Sequence, residues 1–204
     1  MPLINDSSIG VCANAGITTP IGLDTSPCSV SVGDFNGDSQ PDLVTGNWQS
    51  STVSVLINAG NGTFISPVLY QAGVAPRGIA IGDVNGDGHL DLVISNSGGI
   101  CVLINTGDGS FVNFSSGNGA YLVVAQAYYV ALGDFNNDAL LDLVVGNTVN
   151  SSISVLLNTV SGAFGNQVIY ATARPSVGVA VGDFNVDGNL DIGMKQQVEH
   201  HIGV

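Results

Sequence analysis

Four short acidic segments have the residue types and spacing best suited to chemistry. The second, residues 83–91, has the sequence DVNGDGHLD, with oxygen-bearing side chains at positions 1, 3, 5 and 9. A tight turn would bring these oxygens around one point, where the backbone carbonyl of position 7 adds another. Such a set suits Ca²⁺, which takes six to eight oxygen ligands, better than Mg²⁺, which demands a strict octahedron. Neither Cys nor His side chains belong to the set, which argues against zinc.

The predicted ligands follow this pattern in all four loops, for up to four Ca²⁺ ions. Position 7 contributes only its backbone carbonyl, at Gln40, His89, Leu140 and Asn189. The full set is Asp34, Asn36, Asp38, Gln40 and Asp42; Asp83, Asn85, Asp87, His89 and Asp91; Asp134, Asn136, Asp138, Leu140 and Asp142; and Asp183, Asn185, Asp187, Asn189 and Asp191.

The clustering of the acids calls for a cation. Twelve of the fifteen Asp residues lie in the four loops. Three carboxylates about 4 Å apart repel by about 4 kcal/mol per pair at an effective dielectric constant near 20. A divalent cation reverses that repulsion, so metal binding should couple to folding stability. The alternative is an Asx-rich turn that holds no metal.

The four loops should not bind equally well. Positions 4 and 6 favour left-handed backbone, which Gly adopts most easily. The Asp83 loop has Gly at both positions and should bind most tightly. The Asp134 or Asp183 loop should be weakest, because the former has Asn137 and Ala139 and the latter has Val186.

The loops belong to a repeat of about fifty residues, since they start at intervals of 49, 51 and 49. Other segments recur at the same spacing, notably the similar sequences at Val55–Asn58, Val102–Asn105 and Val155–Asn158. One unit predicts four short strands: Val30–Gly33, Asp42–Thr45, Thr52–Asn58 and Phe64–Tyr70. Four strands in about fifty residues indicate an all-β fold of β-propeller blades, each with four antiparallel strands. A parallel β-helix is the rival, but its coils are shorter.

The chain is not a whole number of blades. Complete blades are predicted at 30–76, 79–125 and 128–175, and a half blade at 177–193. Residues 1–29 are an N-terminal segment with a partial blade strand, and residues 194–204 are a divergent tail. Either the N-terminal strand closes a four-bladed ring, or the chain is an arc of a larger propeller. The arc is favoured, because the tail breaks the repeat without a closing strand.

Composition excludes several classes of partner. The chain has 3 Lys and Arg against 16 Asp and Glu, a net charge of −13. This excludes binding to nucleic-acid phosphates and disfavours an anionic membrane surface. No apolar run of eighteen residues predicts a membrane helix, and the N-terminus lacks the pattern of a signal peptide. Cys12 and Cys28 form a disulfide or, as readily, remain free buried thiols like Cys101.

The acidic loops, followed by Asp-Leu-Val and later by Gly-x-Gly-x-Phe, resemble FG-GAP and VCBS-type repeats. Those repeats build the β-propeller of integrin α subunits and of many secreted proteins. The resemblance implies calcium at Asp34, Asn36, Asp38, Asp42 and their counterparts, usually on the rim opposite the ligand face. It also implies an extracellular or cell-surface protein with an adhesion, carbohydrate-binding or lyase role.

Several other residues have both a functional and a structural interpretation. Sequons begin at Asn5, Asn61, Asn113 and Asn150 and support secretion weakly. Arg77 and Arg174 could bind an acidic ligand, but inter-blade contacts are favoured. Trp48, Tyr128 and Tyr129 could stack on sugars, although core packing is favoured. His89 should be solvated, and Glu199, His200 and His201 should belong to a disordered tail rather than a metal site.

The favoured function is a calcium-binding, non-catalytic module that binds an extracellular protein or glycan. No Ser, His and Asp grouping and no nucleotide-binding Gly loop support an enzyme. One alternative is a non-catalytic portion of a larger secreted enzyme, such as a polysaccharide lyase. Another is a truncated product that aggregates through open blade edges. No nucleic acid or membrane insertion is expected, and under the arc alternative the remaining blades of the propeller lie outside this chain.

Overall fold

The computed structural model describes residues 26–114, 127–160 and 162–196. All regular elements within these ranges are β-strands. In chain order they are β1 (Pro27–Gly33), β2 (Asp42–Asn47), β3 (Thr52–Leu56), β4 (Val68–Gln71), β5 (Ile79–Gly82), β6 (Asp91–Asn96), β7 (Gly99–Asn105), β8 (Phe111–Asn113), β9 (Ala127–Gly133), β10 (Asp142–Asn147), β11 (Ser152–Leu156), β12 (Asn158–Val160), β13 (Ala163–Phe164), β14 (Val168–Ala171), β15 (Ser176–Gly182) and β16 (Asp191–Gln196). None of the described residues lies in a helix long and apolar enough to cross a bilayer.

The strands form three four-stranded antiparallel sheets and a final pair. The sheets have the orders β1-β2-β3-β4, β5-β6-β7-β8 and β9-β10-β11-β14, and β15 pairs with β16 alone. A small hairpin, β12–β13, lies beside the third sheet. The predicted fold class is therefore confirmed: all-β, with propeller blades of four antiparallel strands and an incomplete blade at the end.

Each acidic loop closes the first hairpin of its sheet in the same register. The last paired residues before the loop are Gly33 with Asp42 in the first sheet and Gly82 with Asp91 in the second. The third sheet and the final pair repeat this with Gly133–Asp142 and Gly182–Asp191. Position 9 of each loop is thus also the first residue of a strand, which ties the loop rigidly to its sheet.

The fourth strand departs from the sequence prediction. Phe64–Tyr70 is not one strand: Phe64 forms an isolated bridge with Asn58, and β4 starts only at Val68. Pro67 explains the break, because proline has no N–H to donate to a strand ladder. The end of the last sheet also differs, since β16 continues to Gln196, into the segment predicted to be a divergent tail.

The hydrophobic core lies between the sheets rather than within any one of them. One buried cluster joins Val44 and Val53 of the first sheet to Leu92 and Leu103 of the second. A second cluster joins the second sheet to the third in the same way. One four-stranded unit is too small to bury both faces, so the sheets stabilise each other by stacking.

The stacking follows chain order. Strand β5 packs against β1, β9 packs against β5 and β6, and β15 packs against β9 and β10. Within the described ranges, the first sheet and the β15–β16 pair share no extensive contact. The described sheets therefore form a sequential arc. The closing strand of the alternative ring belongs mainly to the N-terminal segment, which lies outside the described residues.

Candidate metal sites

The backbone of all four loops has the left-handed residues predicted at positions 4 and 6. Positions 4 and 6 have positive φ in every loop, from +59° at Asn137 to +87° at Gly188. In the second loop both residues are glycine, Gly86 and Gly88, so the conformation costs little. In the fourth loop Val186 has φ of +61°, a strained value for a β-branched side chain.

The carboxylate at position 1 organises the turn. In the second loop, Asp83 accepts hydrogen bonds from the N–H groups of Gly86 at 2.7 Å, Asp87 at 3.1 Å and Gly88 at 2.8 Å. Asp34 makes the same three contacts in the first loop. Asp134 and Asp183 accept from positions 5 and 6 of their own loops. Position 1 therefore lies at the centre of each turn, as a cation ligand would.

Positions 3, 5 and 7 are linked in a short chain of hydrogen bonds. In the second loop, the Asn85 amide nitrogen donates to Asp87 at 2.8 Å, and Asp87 accepts the N–H of His89 at 2.9 Å. The other three loops repeat both contacts. The side chains of positions 1, 3 and 5 are thus brought together in every loop.

The carboxylate at position 9 is turned into the sheet. Asp91 is fully buried and accepts the N–H of Val84 at 3.0 Å and of Asn105 at 2.9 Å. Asp42 and Asp142 make the equivalent pairs of bonds. These contacts tie the first three loops to the end of the third strand of their sheets, whereas in the fourth loop Asp191 accepts the N–H of Phe184. Position 9 is consequently less available to the loop than the spacing alone suggested.

Burial and hydrogen bonding shift the pKa values of several loop carboxyls. Burial raises the pKa of Asp91 to about 6, and the nearby charges of Asp87 and Asp83 add to the effect. Burial also raises the pKa of Asp142. In the exposed fourth loop, hydrogen bonds from the backbone lower the pKa values of Asp183 and Asp187. The buried position-9 carboxyls are therefore the ones that a nearby cation would stabilise most.

The donor set fits calcium in its chemistry. Each loop offers carboxylate and amide oxygens without nitrogen or sulfur ligands, as a hard cation prefers. A carboxylate has about four lone-pair sites, so its hydrogen bonds to backbone N–H groups leave acceptor capacity unused. In their present rotamers, however, no three acidic, His or Cys side chains of the described residues stand close enough to ligate one ion. In the first three loops the position-9 carboxylate is bonded to the sheet instead.

A repeated asparagine next to the loops was not predicted as a site residue. The Asn105 side chain donates to the carbonyl of Phe35 in the preceding sheet at 2.8 Å and to that of Leu90 at 3.1 Å. Asn158 donates to Val84 in the same manner at 2.8 Å. These buried bonds join the acidic loop of one sheet to the third strand of the next. The signal was present, because Asn ends each repeated Val-Leu-Ile/Leu strand.

The aromatic residues differ from the prediction of core packing. Trp48 and Tyr129 are 47% and 40% exposed, so that prediction was wrong for both. Arg77 lies over the Tyr128 ring, 3.7 Å from its centroid, and so makes the predicted contact between blades. Arg174 is exposed.

The remaining residues singled out in the sequence fall on the surface or outside the described ranges. His89 is exposed, as are the sequon residues Asn61, Asn113 and Asn150. Cys28 and Cys101 are free thiols, and Cys12, the possible disulfide partner of Cys28, lies outside the described residues. Cys28 is exposed rather than buried, whereas Cys101 is buried. Asn5, Cys12, Glu199, His200 and His201 lie outside the described residues.

Comparison with known families identifies the repeat. The model of the FG-GAP-like repeat matches three overlapping spans, residues 34–94, 83–145 and 134–194. The chain belongs to the FG-GAP-like repeat family. Each span starts at the first Asp of an acidic loop, so these loops mark the family's repeating unit in this chain. No curated protein matches the sequence significantly.

Comparison with solved structures gives matches at low sequence identity. The N-terminal domain of BBS1, solved in complex with ARL6, is 14% identical with a TM-score of 0.52, over 84% of this chain and 54% of that one. An Agrocybe aegerita lectin that recognises non-reducing terminal N-acetylglucosamine is 23% identical with a TM-score of 0.47, over 71% and 38%. The Vibrio cholerae biofilm matrix protein Bap1 is 20% identical with a TM-score of 0.39, over 75% and 30%. The chain thus matches at most about half of each of these chains.

Proposed function

We propose that this FG-GAP-like chain is a calcium-stabilised, non-catalytic propeller module that binds an extracellular protein or glycan. The observation that supports it most is the loop backbone, with positive φ at positions 4 and 6 in all four repeats. Such a conformation folds each loop into a tight turn in which the side chains of positions 3 and 5 are hydrogen-bonded to each other. Calcium there would be structural, because the first three loops are hydrogen-bonded to their own sheets through position 9.

Hydrogen bonds would couple calcium binding in a loop to the stability of the sheets. The position-9 carboxylate is held by the N–H of the third strand, as in the 2.9 Å bond from Asn105 to Asp91. The side chain of the same Asn105 bonds Phe35 in the preceding acidic loop. An ion that orders one loop therefore also orders the contact between two sheets.

An extracellular location is part of the proposal. Asn61, Asn113 and Asn150 begin sequons and are all exposed, so each is accessible to glycosylation. Calcium at millimolar concentration outside cells would also fill sites of modest affinity.

A calcium titration of the melting temperature tests the proposal. A site that holds calcium at a hundred times its Kd stabilises the fold by about 2.7 kcal/mol. For a chain of this size that corresponds to a rise of about 5–10 °C per strong site. Magnesium should give a much smaller rise, and calorimetric titration should give up to four ions per chain.

The Asp87→Asn variant locates the effect. It should reduce the difference in melting temperature between calcium and EDTA more than Asp108→Asn does. Asp108 is a matched control, since it lies in an exposed turn outside the four loops and is bonded only by Thr106 and Ser110. A calcium-independent melting temperature in the wild-type chain would contradict the proposal.

A further inference from the structure

A cleft of about 280 Å³ lies at the ends of the sheets away from the acidic loops. Three successive sheets line it, through Val30 of β1, Ile79 of β5 and Tyr129 of β9. Trp48, just after β2, and Arg77, just before β5, complete the walls. The cleft therefore exists only when the three sheets are stacked.

The cleft presents flat aromatic surface to solvent. Trp48 and Tyr129 keep 47% and 40% of their surface exposed, although both are large rings next to a packed core. Tyr129 is also fixed in place, with its ring centroid 5.7 Å from that of Tyr128. Rigid aromatic rings lose little entropy on binding and offer an apolar face beside a polar atom. They suit a ligand with one flat C–H face and polar edges, such as a pyranose ring.

Arg77 gives the cleft a fixed positive charge. Its guanidinium lies 3.7 Å above the centre of the Tyr128 ring rather than against a carboxylate of the described residues. Stacking on the ring face leaves the N–H groups at the guanidinium edge able to hold an anion in a bidentate arrangement. This charge is notable in a chain with only 3 Lys and Arg.

The acidic loops do not cancel this charge. Strand β1 runs from the cleft at Cys28 to the first acidic loop at Asp34. At about 3.3 Å per residue that separation is about 20 Å. The Debye length at physiological salt is about 8 Å, so the loops are largely screened from the cleft.

The walls are held in place before any ligand arrives. Ser95, fully buried, accepts the N–H of Arg77 through its carbonyl at 2.8 Å. Its hydroxyl donates to the carbonyl of Tyr128 at 3.0 Å and accepts the N–H of Gly78 at 2.8 Å. On the other side, Cys28 donates to the carbonyl of Pro76 at 2.9 Å. A preorganised site loses less affinity to ordering than a flexible one.

We propose that this cleft binds a sugar acid, a pyranose ring that carries a carboxylate. Arg77 holds the carboxylate, and Trp48 and Tyr129 contact the ring. The volume suits a single ring of this kind and is at the small end of ligand sites. The proposal rests on the proposed function as a binding module and names its ligand class and site. An acidic peptide would satisfy Arg77 but would place a flexible chain, rather than a rigid apolar face, against the two rings.

The single tryptophan of the chain is a direct reporter, because Trp48 lines the cleft. Methyl β-glucuronide is titrated against methyl β-glucoside, which has a hydroxymethyl group in place of the carboxylate. The glucuronide should give a saturable change in tryptophan emission, with a Kd lower by about tenfold or more than that of the glucoside. Acetyl-diglutamate amide, which carries carboxylates without a pyranose, should give no comparable change.

Two arginine variants separate the cleft from general charge. Arg77→Gln should weaken glucuronide binding by about tenfold or more and remove the preference over the glucoside. Arg174→Gln is the matched control, since it loses the same charge at an exposed site outside the cleft, and it should bind as the wild type does. Melting temperatures of both variants verify that each is folded.

Three outcomes would overturn the inference: no saturable response to the glucuronide, equal loss in the two variants, or a stronger response to the diglutamate peptide. The calcium titration distinguishes a failure of the cleft proposal from a failure of the proposed function. A calcium-dependent melting temperature without glucuronide binding removes the cleft proposal alone. Glucuronide binding without a calcium effect removes the calcium proposal alone.

Discussion

Val186 concentrates the conformational cost of the fourth acidic loop, one of the two predicted to bind calcium most weakly, in one residue. Its φ is +61° and its side chain is 88% exposed, so the strain has no compensating packing. Left-handed backbone costs an ordinary L-residue about 1–2 kcal/mol, and a β-branched one is among the worst suited. The residue occupies the position that Gly86 fills in the second loop.

Val186→Gly should therefore stabilise the final strand pair. The relief of strain exceeds the extra backbone entropy of glycine, for a net gain of about 0.5–1 kcal/mol. Amide hydrogen exchange of β15 and β16 in EDTA measures the gain as slower local opening. The control is Val168→Gly, an exposed valine in the extended strand β14, which should lose about 1 kcal/mol. Faster exchange in the Val186 variant would contradict the strain argument.

Cys101 predicts how stability responds to alkaline pH. Burial raises its pKa from 9.0 to about 11. The folded state therefore keeps a proton that the unfolded chain loses above pH 9. The stabilising contribution is complete below that pH and is lost as pH rises toward 11.

At pH 10 the loss from this thiol is about 1.4 kcal/mol relative to pH 8. The melting temperature of the wild type should fall more steeply between these pH values than that of Cys101→Val, which removes the ionisable group and keeps an apolar side chain. Parallel pH profiles would show that Cys101 does not contribute.

At the residue scale, spacing was a good guide to backbone and a poor guide to side-chain orientation. The Asp and Gly pattern predicted left-handed backbone at positions 4 and 6, and the structure has it in all four loops. The pattern did not reveal that Asp91 is drawn into the sheet, because one of its two partners, Asn105, lies at the end of the third strand. The prediction that Trp48 packs in the core was wrong for a similar reason, because the exposure of its side chain depends on how neighbouring sheets stack.

The elements are joined by a repeated asparagine at the end of the third strand. Asn105 and Asn158 each reach the acidic loop of the preceding sheet, through Phe35 and Val84. Asn58, the same position in the first sheet, donates to Pro41 of its own sheet at an exposed site. All three asparagine amides therefore donate to backbone carbonyls, but Asn105 and Asn158 do so at buried sites between two sheets and Asn58 at an exposed site within one.

Asn105→Ala should destabilise the chain by about 2–3 kcal/mol, because it leaves buried carbonyls unpaired between two sheets. Asn58→Ala should cost less than about 1 kcal/mol, because water replaces the lost partner at an exposed carbonyl. Urea unfolding of both variants gives the comparison. Equal losses would show that the contact between sheets adds no stability.

At this scale, periodicity predicted the sheets but not their limits. Alternation and the recurrent Val-Leu-Ile/Leu strand identified four strands per unit, and three four-stranded sheets are present. The expected strand Phe64–Tyr70 did not take account of Pro67, which breaks the ladder, and β4 therefore starts only at Val68. The extension of β16 to Gln196 could not be anticipated, because pairing with β15 rather than residue type holds it in place.

Over the whole molecule, burial declines from the middle sheet to the last strands. Strand β6 is buried throughout, because it has a neighbouring sheet on each side. Strand β16 is partly buried or exposed along its length. Phe184 and Met194 are exposed apolar side chains on the same strand pair and its loop.

Amide exchange should follow this gradient. Exchange in β6 should be slowest and should approach the rate set by global unfolding, whereas β15 and β16 should exchange fastest. Mass spectrometry of peptides from the two regions, with and without calcium, measures the difference. Uniform protection across the sheets would contradict the sequential stacking of the fold.

The stacking order also determines how the chain would respond to a mechanical load. Each described sheet packs mainly against its neighbours in chain order, so tension applied along the chain is borne by the sheet interfaces one after another. The β15–β16 pair has only two strands in the described part of the chain, against four in each of the first three sheets, and should detach first. Extension in an optical trap would then proceed in discrete steps of about one repeat each, and the centre would yield last.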